Sequence, residues 1–157
     1  MSKATRATEA LRKAGIAFTL HRYEYDPDSP RIGLAAAEAL GEPPCRVLKT
    51  LMAEVDGRPV CALIPSDSEV SMKKLAAAFG GKSARMLPPP EAEKLTGYHV
   101  GGISPFGQRR AVPSLVEATA LSEPHLFVNG GQRGLQLRLA PADLLRALGG
   151  RAESLTG

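Results

Sequence analysis

Two stretches of this chain carry groups suited to acyl chemistry. Thr96-Gly-Tyr-His-Val-Gly-Gly-Ile-Ser-Pro-Phe-Gly107 holds four glycines in twelve residues, with Pro105 directly after the Ser104 hydroxyl. Glycine reaches positive φ and lets another molecule approach the backbone, while proline fixes the chain behind it. The composition predicts a shaped loop whose amides at Gly101, Gly102 and Ile103 can donate to a carbonyl or an oxyanion. A tight turn between two elements reads the same glycines without chemistry. The second stretch is Val47-Leu-Lys-Thr-Leu-Met-Ala-Glu-Val55. Period-two alternation groups Lys49 with Val47, Leu51, Ala53 and Val55 on one apolar face and leaves Thr50 and Glu54 to mark an outer face. A lysine on an apolar face costs desolvation unless it is paired or lines a cavity. A lysine at the strand edge, reaching water along its own stem, is the alternative.

A nucleophile to go with these groups is hard to find. His21, His99 and His125 are too scattered for a metal site, and Gly-Gly-Ile-Ser-Pro lacks the strand, elbow and helix that expose a serine in GxSxG. Cys45 and Cys61 have neither metal spacing nor a CxxC pattern. Cys61, inside Val60-Cys-Ala-Leu-Ile64, reads as a small core residue, and Cys45, after Pro43-Pro44, as a loop or strand-edge residue. A second glycine cluster, Asn129-Gly-Gly-Gln-Arg-Gly134, is either a long hairpin turn or a second wall of a pocket.

The elements that must position these groups follow from periodicity and punctuation. Residues 5–14 have helical spacing and stop at Gly15, and residues 16–24 alternate as a strand closed by Asp26-Pro27-Asp28. A short helix over 34–40 ends at Gly41. Residues 46–55 and 58–64 form a hairpin, because Asp56-Gly57 suits a type I′ turn. Ser71 caps a helix running to Phe79, and Pro88-Pro89-Pro90 reads as a stiff connection ahead of a helical turn over 91–95. Strands over 114–118, 126–128 and 135–139 precede a last helix from Pro141 to Leu148. Hairpins among scattered helices predict an α+β fold with a largely antiparallel sheet.

With 157 residues the chain has the length of one compact domain. It has no apolar run near the ~20 residues of a membrane span, which predicts a cytoplasmic protein with no membrane partner. Twenty basic against sixteen acidic residues leave a mild positive excess that suits a polyanionic partner. Candidate phosphate contacts are Lys73 with Lys74, Lys82 with Arg85, and Arg109 with Arg110, each equally readable as a solvated face.

Taken together, Arg46-Val-Leu-Lys-Thr-Leu51, the 96–107 loop and Val128-Asn-Gly-Gly-Gln-Arg-Gly-Leu135 resemble the YbaK family of aminoacyl-tRNA deacylases. The similarity takes in His21-Arg-Tyr23 and Met72-Lys-Lys-Leu-Ala76 and runs in the same order from the first helix to the last. The resemblance implies a single domain over 1–157 with a mixed, partly barrel-like sheet flanked by helices. It implies removal of cysteine from mischarged tRNA(Pro) and from other cysteinyl-tRNAs, with tRNA and prolyl-tRNA synthetase as partners and no cofactor or metal. Lys49 would be essential, and Tyr23, Thr50, Gly101, Gly102, Ile103 and Ser104 would line the pocket, with Asn129, Gly130 and Gly131 forming its second wall. The chain departs from the family at Asn129, where close relatives have Ser, and at Gln136, where some carry Asp. The family mechanism has the substrate's own thiol attack its ester and release a thiolactone, which accounts for a site without a protein nucleophile. Deacylation of alanyl- or another small aminoacyl-tRNA, and a non-catalytic module that docks on tRNA or the synthetase, are the competing readings.

Overall fold

The computed structural model describes residues 4–25, 28 and 32–157. Its elements run α1 (Arg6–Lys13), β1 (Thr19–Arg22), α2 (Ile32–Leu40), β2 (Leu48–Val55), β3 (Arg58–Pro65), α3 (Met72–Ala78), β4 (Ala84–Met86), α4 (Pro89–Thr96), β5 (Ser114–Glu117), β6 (Leu126–Asn129), β7 (Leu135–Leu139), α5 (Pro141–Leu148) and β8 (Arg151–Glu153). Short 3-10 turns occupy Pro44–Arg46 and Ala118–Ser122. Of the turn expected to close β1, Asp26 and Pro27 lie outside the described residues.

The β2–β3 hairpin is built as its turn residues dictate. Asp56 and Gly57 both take positive φ, 49° and 82°, and the register runs from Val55 opposite Arg58 to Leu48 opposite Pro65. This hairpin is the spine of a five-stranded sheet in the order β4-β2-β3-β5-β8, while β1-β7-β6 form a second, three-stranded sheet. Pairing is antiparallel except at β3–β5 and β5–β8. An isolated parallel bridge between Val47 and Phe127 joins the two sheets, which do not close into a barrel.

The expectation of an outer face on β2 is corrected by its position. β2 lies inside the sheet with both edges paired, and a layer packs on each of its faces. Leu48 and Met52, which share a face with Thr50, enter the main core with Leu63, Leu126, Val128 and Leu137. The opposite face packs Ala53 and Val55 against Leu75 and Ala76 of α3. Two further expectations change. Pro89 and Pro90 open α4 as its first two residues, where a missing N–H costs nothing, so the triple proline starts a helix rather than linking two elements. Strands β4 and β8 have three residues each and no alternation to announce them; they exist because Ala53–Val55 and Leu115–Glu117 offer edges to pair with.

The C-terminal segment is held by one buried carboxylate. Glu117 is 2 % exposed and accepts hydrogen bonds from the amides of Leu155 (2.8 Å), Thr156 (3.1 Å) and Thr119 (2.9 Å) and from the Thr156 hydroxyl. Burial pushes its pKa up, but the backbone hydrogen bonds outweigh burial and hold it below the ordinary carboxylate value. A depressed folded-state pKa contributes stability that is present above the unfolded value and is lost as pH falls through the folded one. Glu117→Gln is expected to lower stability at neutral pH by about 1–3 kcal/mol and to flatten the loss of stability below the carboxylate range. Denaturant melts across that range check both effects. No described helix is long and apolar enough to cross a membrane.

Candidate functional site

The site forms where the open end of the β2–β3 hairpin meets the two glycine-rich segments. A cavity of about 470 Å³ is lined by Val47, Lys49 and Thr50 of the β2 entry, Ser66, Asp67 and Glu69 beyond β3, Val100, Gly101 and Ile103 of the first glycine segment, and Asn129 and Gln136 of β6 and β7. This size suits a small acyl group with part of its carrier. Lys49, Thr50, Gly101, Ile103 and Asn129 are thus brought together from three separate parts of the chain.

Lys49 is half-buried at the start of β2, opposite Ile64. Among the described residues it makes no hydrogen bond or ion pair, although the Asp67 and Glu69 side chains line the same cavity. A half-buried cation without an internal partner is available for an external anion or carbonyl. Among the described residues, two of the three buried side-chain oxygens that lack a hydrogen bond, Thr50 Oγ1 and Gln136 Oε1, belong to residues of this cavity. Buried polar atoms almost always find partners, so two orphans in one cavity point to a polar ligand that supplies them. The third orphan is the Tyr23 hydroxyl, whose residue packs beside Val47 and Phe127.

The first glycine segment offers fewer donors than its composition implies. The Gly102 amide is committed to the His99 carbonyl at 2.8 Å. The amides of Gly101 and Ile103 donate to nothing among the described residues, and both residues line the cavity. Gly101 takes φ 92°. Ser104 lies beneath the surface, 0 % exposed, and its Oγ accepts from the Phe106 amide at 3.3 Å. It stands outside the cavity lining, as do Gly102, Tyr23, Gly130 and Gly131. The physical reason differs in each glycine case: Gly102 lies so close to the Gln132 backbone that a Cβ would come within 2.8 Å of its Cα, the Gly130 amide pairs with the Leu135 carbonyl, and the Gly131 amide with Asn129.

Asn129 clamps the two segments. Its Nδ2 donates to the Gly101 and Gln132 carbonyls, each at 3.3 Å, and its Oδ1 accepts from the Gly131 amide at 2.7 Å. The Thr5 hydroxyl at the N-terminus of α1 adds a bond to the Gly130 carbonyl at 2.6 Å. Asn129→Ala leaves the Gly101 carbonyl and the Gly131 amide without partners, while the Gln132 carbonyl keeps the Leu135 amide, and is expected to cost about 1–3 kcal/mol. It should also speed amide exchange in both segments. Exchange that stays unchanged over residues 97–104 would show that this clamp does not hold the first segment.

Neither cysteine is set up as a nucleophile. Burial pushes the Cys61 thiol up to about 12, and Cys45 is raised by burial and by the Glu123 carboxylate. No cluster of three or more His, Cys, Asp or Glu among the described residues is arranged to hold a metal ion. Sequence reasoning overlooked Ser66, Asp67 and Glu69. The signal was available in the hairpin register, since counting outward from Asp56-Gly57 sets Ser66 beside Val47. The Ser66 hydroxyl indeed donates to the Val47 carbonyl at 2.7 Å.

Comparison with known proteins places the chain in a family and a fold. Residues 30–147 match the model of the aminoacyl-tRNA editing domain. A relative from Enterococcus faecalis named "Putative Cys-tRNA(Pro)/Cys-tRNA(Cys) deacylase EbsC" is 37% identical over 123 residues, covering 78% of this chain and 75% of its own. The proline--tRNA ligase of Acidithiobacillus ferrooxidans is 33% identical over 85 residues, 54% of this chain and 15% of the ligase. Among solved structures, one described as "Crystal structure of a putative trans-editing enzyme for prolyl tRNA synthetase" superposes with a TM-score of 0.86 at 24% identity, covering 99% of both chains, which shows a shared fold. The family match covers most of the chain, and by it this protein belongs to the aminoacyl-tRNA editing domain family.

Proposed function

We propose that this protein removes cysteine from mischarged Cys-tRNA(Pro) and from other cysteinyl-tRNAs, using the substrate's own thiol as the nucleophile. The observation that carries this reading is a cavity lined by an unpaired lysine and by Gly101 and Ile103, whose amides are unpaired among the described residues, while both cysteines and Ser104 lie outside its lining and are buried or otherwise engaged. An aminoacyl ester is already activated, so a site that positions it and stabilises a tetrahedral oxyanion needs no nucleophile of its own when the substrate brings one. The deacylase name of the Enterococcus faecalis relative supports cysteine as the amino acid.

The cysteinyl sulfur, as thiolate, bonds to its own ester carbonyl carbon, and the carbonyl oxygen becomes an oxyanion facing the Gly101 and Ile103 amides. The oxyanion collapses, the bond from carbon to ribose oxygen breaks, and that oxygen takes up through water the proton that the thiol lost. The products are tRNA and cysteine β-thiolactone, which water opens to cysteine. Lys49 favours the thiolate and the oxyanion electrostatically, since a neighbouring cation lowers a thiol pKa. Thr50 Oγ1 and Gln136 Oε1 accept hydrogen bonds from the α-ammonium group. The test is to incubate the purified protein with a panel of charged tRNAs and follow the loss of each amino acid. Cysteinyl-tRNA should be cleared first, and clearance of alanyl-tRNA with cysteinyl-tRNA untouched would overturn the reading.

A further inference from the structure

Several cations have no ion pair among the described residues, and four of them are gathered at one place in the fold. Among the described residues, carboxylates pair with Arg12, Arg46, Arg85, Arg146 and Arg151, and the Lys74 ammonium donates to the Thr156 carbonyl. Arg6, Lys94, Arg109 and Arg110 have no such partner, all four are exposed, and the fold gathers them around the C-terminal end of α4. The Arg109 amide donates to the Thr96 carbonyl at 2.8 Å and the Arg110 amide to the Leu95 carbonyl at 3.3 Å. At Gly97, φ 82°, a Cβ would come within 2.4 Å of Arg6 Nη1 and 3.5 Å of Arg109 Cβ, so the Arg6 guanidinium lies over this glycine beside Arg109. Lys94, Arg109 and Arg110 line one cleft of about 380 Å³. The cleft's two carboxylates, Glu54 and Glu91, are both engaged by Arg85.

Cations near a helix C-terminus are favourable for the helix itself, by about 0.3–1 kcal/mol each at an exposed position. That accounts for Lys94 in the last turn of α4. It does not account for Arg6, which comes from the first turn of α1. Two of the four, Arg6 and Arg109, flank Gly97, which is four residues from Gly101 of the cavity lining, so they stand over a residue within about 14 Å of the cavity, and Lys94 and Arg110 continue the basic surface from there along the cleft. Tyr98 spans the interval, with the charge of Arg6 acting on its hydroxyl and its ring against Gly131 of the second glycine segment. We propose that Arg6, Lys94, Arg109 and Arg110 form the docking surface for the phosphodiester backbone of the tRNA strand whose aminoacyl ester occupies the cavity. This inference rests on the deacylase reading and adds to it the path of the nucleic acid. A basic surface tracking a single strand binds through its phosphates and carries little sequence information.

The experiment uses two substrates, full-length cysteinyl-tRNA and the cysteinyl ester of adenosine, which has no phosphates. The triple variant Arg6→Gln, Arg109→Gln and Arg110→Gln is compared with a control of equal charge loss, Arg58→Gln, Lys73→Gln and Lys82→Gln. For the patch triple, KM on full-length tRNA should rise about tenfold or more at physiological salt with kcat little changed. The log–log salt dependence should become shallower by about 2, at roughly 0.7 per lost phosphate contact. Turnover of the adenosine ester should match the wild type, and the control triple should resemble the wild type on both substrates. If the two triples weaken tRNA turnover equally, or the patch triple loses activity equally on both substrates, the docking assignment is wrong. Wild-type protein that cleaves neither substrate would instead overturn the deacylase reading.

Discussion

Lys49→Ala should lower the single-turnover rate of cysteinyl-tRNA cleavage by about 10²–10³-fold, the range lost when one preorganised charge-stabilising group is removed from an acyl-transfer site. The fold should survive. Lys49 has no internal hydrogen bond or ion pair among the described residues, so its removal orphans no buried group, and the change in stability should stay within about 0.5 kcal/mol. Lys49→Met keeps the apolar stem against its neighbours without the charge and should be as inactive as the alanine variant. Circular dichroism melts run beside rapid-quench kinetics separate the two effects. A folded Lys49→Ala protein with a near-normal rate would remove this residue from the mechanism.

Discrimination by the substrate's side chain should be equally large. Seryl and cysteinyl esters differ by one atom, oxygen in place of sulfur. Only the thiol ionises near neutral pH, with an unperturbed pKa of about 8.5. Held next to its own ester it reacts at a high effective concentration, so cysteinyl-tRNA should be cleaved about 10²-fold faster than seryl- or alanyl-tRNA, or more. Cys45→Ala, Cys61→Ala and Ser104→Ala should all retain turnover, with Cys61→Ala less stable because that side chain is fully buried. Comparable rates on seryl- and cysteinyl-tRNA would place the nucleophile in water or in the protein.

Local chemistry made much of the fold legible. The Asp56-Gly57 turn set the hairpin and its register, Pro141 and the αL residue Gly149 bracket α5, and Leu135–Leu139 pairs as its alternation requires. Where pairing partners rather than intrinsic pattern decide the structure, the sequence was silent, as at β4 and β8. The misread outer face of β2 has a related cause. Alternation reports which residues share a face, but it does not report that a second layer covers the other side. At the site, Lys49 stood out because a charge on an apolar strand needs a reason. Asn129 was named for the second wall and as a departure from the family, but its clamping role was not legible, because it joins segments about thirty residues apart, and the spacing of glycines cannot reveal that the Gly102 and Gly131 amides are already taken.

The first product to leave the tRNA identifies the nucleophile. In a single turnover of cysteinyl-tRNA, quenched within the first moments and analysed by mass spectrometry, the early product should be cysteine β-thiolactone, lighter than cysteine by one water, with linear cysteine appearing only as the ring opens. Alkylating the substrate thiol beforehand should stop release. Linear cysteine as the first product, or release of the alkylated amino acid at a similar rate, would contradict substrate-thiol attack and assign the cleavage to water.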